Sequence, residues 1–103
     1  MHTMYYIQSM KLIDWNKEKN IWLKKHRKVS FEDVLYYIEN GFLVDDIEHT
    51  NDDKYPNQII LVLDIDGYIY LVPYVETDDE IFLKTIIPSR KATRQYLGEK
   101  NER

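Results

Sequence analysis

The chain has 103 residues, 44% of them hydrophobic and 31% charged, and a formal net charge of −4 at neutral pH. This balance is typical of one globular domain with a modest core, so we expect a single domain over 1–103 with irregular ends at 1–9 and 99–103. The absence of cysteine excludes a disulfide framework and a thiolate zinc site. No apolar run approaches the roughly 18 residues of a membrane span, and no secretion signal is evident, so we expect a cytoplasmic protein without membrane contact.

Charge is segregated along the chain. Between residues 45 and 80, eleven carboxylates oppose only Lys54, whereas the segments on either side are net positive. The acidic balance counts against non-specific nucleic-acid binding. Such segregation suits a protein that meets one partner on its acidic side and another on its basic side, although solvated loops beside unrelated basic helix ends would produce it as well.

The N-terminal part predicts a short edge strand over 10–14 and then a helix. Asp14 or Asn16 would serve as the N-cap, and the cationic run 24–28 lies where it complements the helix dipole. Helical spacing places one set of side chains on a single face, which we expect to be buried. The set is Trp15, Lys19, Trp22, Leu23 and His26.

A second helix is predicted from a capping box at Ser30 to the Asn40-Gly41 pair. Its buried stripe would consist of Phe31, Val34, Leu35 and Ile38. Residues 42–44 form a candidate strand, and 45–57 form a long polar loop, which in a small domain is often functional. That loop holds His49 among carboxylates, but the spacing fits no EF-hand and one histidine makes no zinc site, so no metal or cofactor is predicted.

The central feature is a hairpin over 58–75, in which Asp66-Gly67 supports a two-residue type I′ turn. The turn sets the register, so that Ile65 faces Tyr68 and Leu63 faces Tyr70. Both faces are largely apolar, which predicts helices on one side and more of the chain, or a partner, on the other. Pro73 should make the second strand bulge or stop pairing.

A third strand is predicted over 81–87, followed by a helix from Arg90 to Leu97 that Ser89 caps and Gly98 closes. The order is two helices, an antiparallel meander and a terminal helix. This order indicates an α+β fold, with the two N-terminal helices packed on the sheet.

Two segments resemble the BrnT family, toxins of bacterial type II toxin–antitoxin systems. Residues 12–16, Lys19, Asn20, the pair 25–26 and the segment 29–34 are similar to the family's opening W-D-x-x-K-x-x-x-N-x-x-K-H and its v-s-F-e-e-A helix start. Residues 86–93 resemble the family's strand that ends in S-A-R-K-A-T, with Tyr96 near its usual terminal tyrosine. The similarity covers residues 11 to 97, although Asn16 stands where the family usually has aspartate.

The resemblance implies a RelE-like α+β fold, a ribonuclease that blocks translation, and neutralisation by a DNA-binding antitoxin. RNA would then be the substrate, and DNA would be reached only through the antitoxin.

The residues themselves offer chemistry for metal-free RNA cleavage, which needs a proton acceptor, a proton donor and cations for the phosphate. His26 is the natural acid–base residue because imidazoles exchange protons near neutral pH. Arg90 would hold the phosphate and Tyr96 would position a proton or stack on a base, which completes the predicted catalytic set. The residues predicted to bind RNA are Lys25, Lys91 and Arg94.

Structural interpretations remain open beside these roles. His26 falls on the predicted buried stripe, so it could instead pack against the core at the end of the helix. Tyr68, Tyr70 and Tyr74 would either form part of a binding surface or be buried under helices. The alternative to an endoribonuclease is a non-catalytic module of the same fold that binds an antitoxin-like partner.

Overall fold

The computed structural model describes residues 11–48 and 58–98, which form an α+β domain. The predicted irregular ends, and the predicted loop from His49 to residue 57, lie outside the described residues. The elements in chain order are β1 (Leu12–Trp15), α1 (Lys17–Arg27), α2 (Phe31–Glu39), β2 (Leu43–Glu48), β3 (Gln58–Ile65), β4 (Tyr68–Glu76), β5 (Glu80–Leu83), β6 (Ile87–Pro88) and α3 (Arg90–Tyr96).

The sheet is mixed, where an antiparallel meander was predicted. Its strand order is β1-β5-β4-β3-β2, with the short β6 also pairing with β4. The strand β1 lies at the edge, as predicted, but runs parallel to β5. At the other edge β2 continues to Glu48, because residues 45–48 pair with β3, so the first four residues of the predicted loop belong to a strand. Pairing with a long neighbouring strand overrides the low strand preference of Asp45 and Asp46.

The predicted hairpin is confirmed. Asp66 and Gly67 both have positive φ, 54° and 83°, as a type I′ turn requires. Ile65 pairs with Tyr68 and Leu63 with Tyr70, in the predicted register. The Gly67 amide donates to the Asp64 carboxylate at 2.8 Å, which adds a side-chain contact at the turn.

The prediction that β4 bulges or stops pairing at Pro73 is wrong for its contact with β3. The two strands pair at Pro73 and continue to pair as far as Val75. The irregularity lies in the neighbouring strand instead. Tyr74 pairs with Leu83 and Leu71 with Ile87, so three steps along β4 match four along its partner. This one-residue bulge divides the predicted third strand into β5 and β6, opposite the position where proline has no N–H to donate.

The helices α1 and α2 cover one face of the sheet, as predicted. Leu23, Phe31 and Val34 are fully buried there against Leu63 and other odd-numbered residues of β3. Trp15 packs at the edge of this core, with its ring centroid 5.4 Å from that of Phe31.

The short helix α3 covers part of the opposite face. Ala92 packs with Val62 and Ile69, whose side chains alternate with those that face α1 and α2. Ser89 caps α3 as predicted, since its hydroxyl accepts the Ala92 amide at 3.0 Å.

The rotation of α1 differs from the prediction. Trp22 is 40% exposed and His26 is exposed, whereas Asn20 and Leu23 form the buried face. Asn20 accepts the Phe31 amide at 2.7 Å and donates to Glu32 at 2.8 Å. These two bonds satisfy a buried amide group and the first turn of α2, and they turn Trp22 away from the core.

The capping box at Ser30 is confirmed, because its hydroxyl accepts the Asp33 amide and its own amide donates to the Asp33 carboxylate. Across the described residues, each helix is too short or too polar to span a bilayer.

Candidate functional site

The six predicted site residues lie on two helices that cover opposite faces of the sheet. Lys25 and His26 are exposed on α1, while Arg90, Lys91, Arg94 and Tyr96 belong to α3. The predicted site residues therefore form two groups, one on each side of the sheet.

On the α3 side, Tyr96 connects α3 to β2. Its hydroxyl donates to the Asp45 carboxylate at 2.8 Å. This hydrogen bond, followed by burial and the negative charge of Asp45, raises the pKa of Tyr96 above its ordinary value. The hydrogen bond connects α3 to the edge strand β2 and directs the hydroxyl proton towards Asp45.

On the α1 side, a cavity of about 410 Å³ lies between the end of α1 and the hairpin turn. We call it the hairpin cavity. Its lining residues are Arg27, Lys28, Val29, Asp33, Tyr37, Ile65, Asp66, Tyr68 and Tyr70.

Tyrosine rings form one wall of the hairpin cavity. Tyr68 and Tyr70 are half-buried and meet edge to face, with ring centroids 5.8 Å apart. The Tyr37 hydroxyl donates to the Asp66 carboxylate at 3.3 Å. Burial, and then the negative charge of Asp66, raises the pKa of Tyr37, so this hydroxyl also remains protonated. Tyr74, the third tyrosine of the alternating set, is buried in the core instead.

Two cations, Arg27 and Lys28, also line the hairpin cavity. One guanidinium nitrogen of Arg27 donates to the Ile86 carbonyl at 2.5 Å, and the guanidinium carbon lies 5.0 Å from the Trp22 ring centroid. These contacts hold Arg27 in place. Lys28 ends α1 with a φ of 59°, in the left-handed region that normally favours glycine.

His26 lies near Arg27, because the side chains of both residues contact the ring of Trp22. The His26 and Trp22 ring centroids are 4.7 Å apart, and Arg27 contacts the same indole. The exposed face of α1 therefore carries an imidazole next to the cation that lines the hairpin cavity.

Sequence reasoning missed Arg27 and Lys28, and left the tyrosines undecided. The basic run 24–28 indicates a phosphate-binding segment, but the sequence does not show which of its members face a cavity. The sequence-based prediction therefore includes only Lys25 and His26 from this run. The strand period placed Tyr68 and Tyr70 on one face without showing whether a helix would cover them. They line a cavity because α1 ends before it reaches them.

A second depression, the Trp22 groove, lies further towards the start of α1, with a volume of about 540 Å³. Its lining residues are Asn16, Glu18, Lys19, Trp22, Phe82 and Lys84.

The composition of the hairpin cavity suits a ligand that is part anion and part planar ring. Arg27 and Lys28 can hold a phosphate, the tyrosine rings can contact a base, and Asp33 and Asp66 can accept from its N–H groups. Within residues 11–48 and 58–98, no group of three or more histidine and carboxylate residues is placed to hold a metal ion.

Comparison with known proteins identifies no relative: no protein-family model, no curated protein and no solved structure matches the chain.

Proposed function

We propose that the chain is a cytoplasmic toxin of the type II toxin–antitoxin class with a RelE-like fold, and that it cleaves RNA without a metal ion to inhibit translation. The observation that carries this proposal is the hairpin cavity, which combines two cations, one of them held by the Ile86 carbonyl, with tyrosine rings near an exposed histidine. The two motifs that resemble BrnT toxins add support from the sequence.

The proposed site differs from the predicted one in its phosphate ligands. Arg27 and Lys28 take the place of Arg90 and Lys91, because they lie with His26 at the end of α1, on the same side of the sheet. Arg90 and Lys91 are exposed on α3 and would contact a more distant part of the RNA or a partner.

In the proposed reaction, the phosphate is held by Arg27 and Lys28 and the adjoining base lies on Tyr68. His26 accepts the proton of the ribose 2′-hydroxyl, whose oxygen then bonds to phosphorus. The bond to the 5′-oxygen breaks, and that oxygen takes a proton from solvent. The products are a 2′,3′-cyclic phosphate and a 5′-hydroxyl, with no co-reactant required.

The decisive experiment is RNA cleavage by the purified chain in the presence of EDTA, with the product ends identified. We expect cyclic phosphate ends from the wild type, and a rate about 10²–10⁴ times lower for His26→Gln, with RNA binding retained. Lys24→Gln is the matched control, since Lys24 is exposed on α1 but lines neither depression. Full activity of His26→Gln, or activity that EDTA abolishes, would contradict the proposal.

A second candidate is a non-catalytic module that binds a small DNA-binding antitoxin. The observation that favours it is an apolar surface on the sheet face that α3 packs on, in the part that α3 does not cover. Ile47 is 38% exposed there, Val75 and Phe82 are half-buried, and Asp45 lies at the same edge of the sheet. A partner with apolar and basic side chains would complement this surface.

Expression separates the two candidates. A cleaving toxin should arrest growth and degrade RNA when expressed alone, and the neighbouring reading frame should relieve the arrest. A binding module should co-purify with the product of that frame, leave RNA intact, and associate more weakly as salt rises.

A further inference from the structure

Trp22 is 40% exposed on α1, although this helix packs on the sheet. Lys19 Nζ lies 4.6 Å from its ring centroid, and Arg27 lies 5.0 Å from it on the next turn. Neither cation has a carboxylate partner among the described residues. The indole therefore lies between two cations that are not paired with a carboxylate within the part of the chain that the structure describes.

The Trp22 groove contains a second pair of an aromatic ring and a cation, contributed by another element. Lys84 follows β5, and its Nζ lies 5.8 Å from the ring centroid of Phe82. The lining of the groove thus contains two aromatic rings, each with a lysine near it, and the single carboxylate of Glu18. Alternating cations and aromatic rings are the composition by which proteins hold single-stranded nucleic acid.

Arg27 connects the two depressions. It contacts the ring of Trp22, which lines the groove, and its side chain also lines the hairpin cavity. If a single-stranded RNA places one phosphate on Arg27, one neighbouring base is near Trp22 and the other is near the tyrosines of the hairpin cavity.

We infer that the Trp22 groove is a second nucleotide subsite, which binds the neighbouring base of a single-stranded RNA whose phosphate lies at Arg27. The inference rests on the proposed function and specifies its substrate as an unpaired segment of at least two nucleotides. Trp22 supplies the stacking surface, and Lys19 and Lys84 hold the next phosphate.

The test measures binding of short oligoribonucleotides at low salt, with tryptophan fluorescence as one readout and anisotropy of a labelled hexanucleotide as the other. We expect quenching of the Trp22 emission and tighter binding of the hexanucleotide than of a mononucleotide. Trp22→Ala and Lys84→Gln should each weaken hexanucleotide binding roughly tenfold, while mononucleotide binding to Lys84→Gln stays unchanged.

Lys84→Gln is the more informative variant, because it leaves the indole under Arg27 in place. Tyr36→Ala is the matched aromatic control, since Tyr36 is 60% exposed on α2 and lines neither depression. Circular dichroism should show the wild-type fold in each variant.

The outcomes separate this inference from the proposed function. Wild-type binding and cleavage of RNA, with unchanged affinity in both groove variants, would overturn the second subsite alone. If the wild type does not bind RNA, both the second subsite and the proposed function are overturned. The same holds if an acidic peptide changes the tryptophan fluorescence and RNA does not.

Discussion

At the scale of single residues, Lys28 combines a backbone position that favours glycine with a side chain that lines the hairpin cavity. We predict that Lys28→Gly raises the free energy of unfolding by about 0.5–1 kcal/mol, because glycine adopts positive φ without a steric cost. RNA binding should weaken in the same variant because the ammonium group is lost.

Chemical denaturation and anisotropy titration measure the two effects of Lys28→Gly. Lys24→Gln also loses an ammonium group on α1, without a change of backbone preference, and should leave both quantities near wild type. Unchanged RNA affinity in Lys28→Gly would remove this lysine from the site.

Asn20 shows why a polar residue occupies the buried face of α1. We predict that Asn20→Ala lowers the free energy of unfolding by about 1–3 kcal/mol, because the Phe31 amide loses its acceptor in a buried place. Asn40→Ala, at an exposed position, should cost less in the same urea titration. Equal losses in both variants would show that the Asn20 bonds contribute little.

Glu32 makes stability depend on pH. The hydrogen bond from Asn20 is the largest cause that lowers its pKa, and Lys24 adds a smaller effect in the same direction. A carboxyl with a lowered folded-state pKa binds fewer protons when folded than when unfolded. Its contribution is therefore present above the ordinary glutamate pKa and is lost as the pH falls through the folded-state value.

We accordingly predict that the wild type loses more stability between pH 6 and pH 3 than Glu32→Gln does. The difference should be small, because the Glu32 side chain is 58% exposed to solvent, which screens its charge. Thermal unfolding across this pH range measures it, and parallel curves for the two proteins would contradict the assignment.

At the scale of elements, the rotation of α1 decides which side chains are core and which are surface. Leu23 is fully buried while its neighbour Trp22 is 40% exposed. We predict that Leu23→Ala lowers the free energy of unfolding by about 2–5 kcal/mol, whereas Trp22→Ala costs about 1 kcal/mol or less. Denaturant titration of the two variants measures both costs, and the reverse order would mean that α1 packs by its other face.

The bulge opposite Pro73 also acts at this scale. It adds one residue to the chain between β5 and β6, and Ser89 then begins α3 on the far face of the sheet. The sequence predicts a bulge or an end of pairing at Pro73 in β4, whereas the irregularity lies in the neighbouring strand, between β5 and β6.

At the scale of the whole molecule, the distribution of cations should set how RNA binding responds to salt. The proposed site places a few cations near phosphates, and each contact to a single strand contributes roughly −0.7 to the slope of log K against log salt. We therefore expect a wild-type slope of about −2 to −3, and a slope smaller by roughly 0.7 in Lys84→Gln. Titrations at several salt concentrations measure this, and a slope near zero would argue against phosphate contacts.

Several features of this protein follow from its sequence alone, because they depend on neighbours in the chain. The Asp66-Gly67 turn and its register are one case, since two residues with positive φ determine which strand positions face each other. The caps at Ser30 and Ser89 are another, because each side chain bonds an amide three residues away. The α+β class follows from the order of these local elements.

Other features were decided only by tertiary structure. The period of α1 allows two adjacent faces to be buried, and the bonds from Asn20 to α2 select the one without Trp22 and His26. The separation of His26 from Arg90 arises because α1 and α3 pack on opposite faces of the sheet, which no local pattern encodes. The hairpin cavity likewise exists because α1 ends at Arg27, short of the tyrosines of β4, and only the packed fold shows that gap.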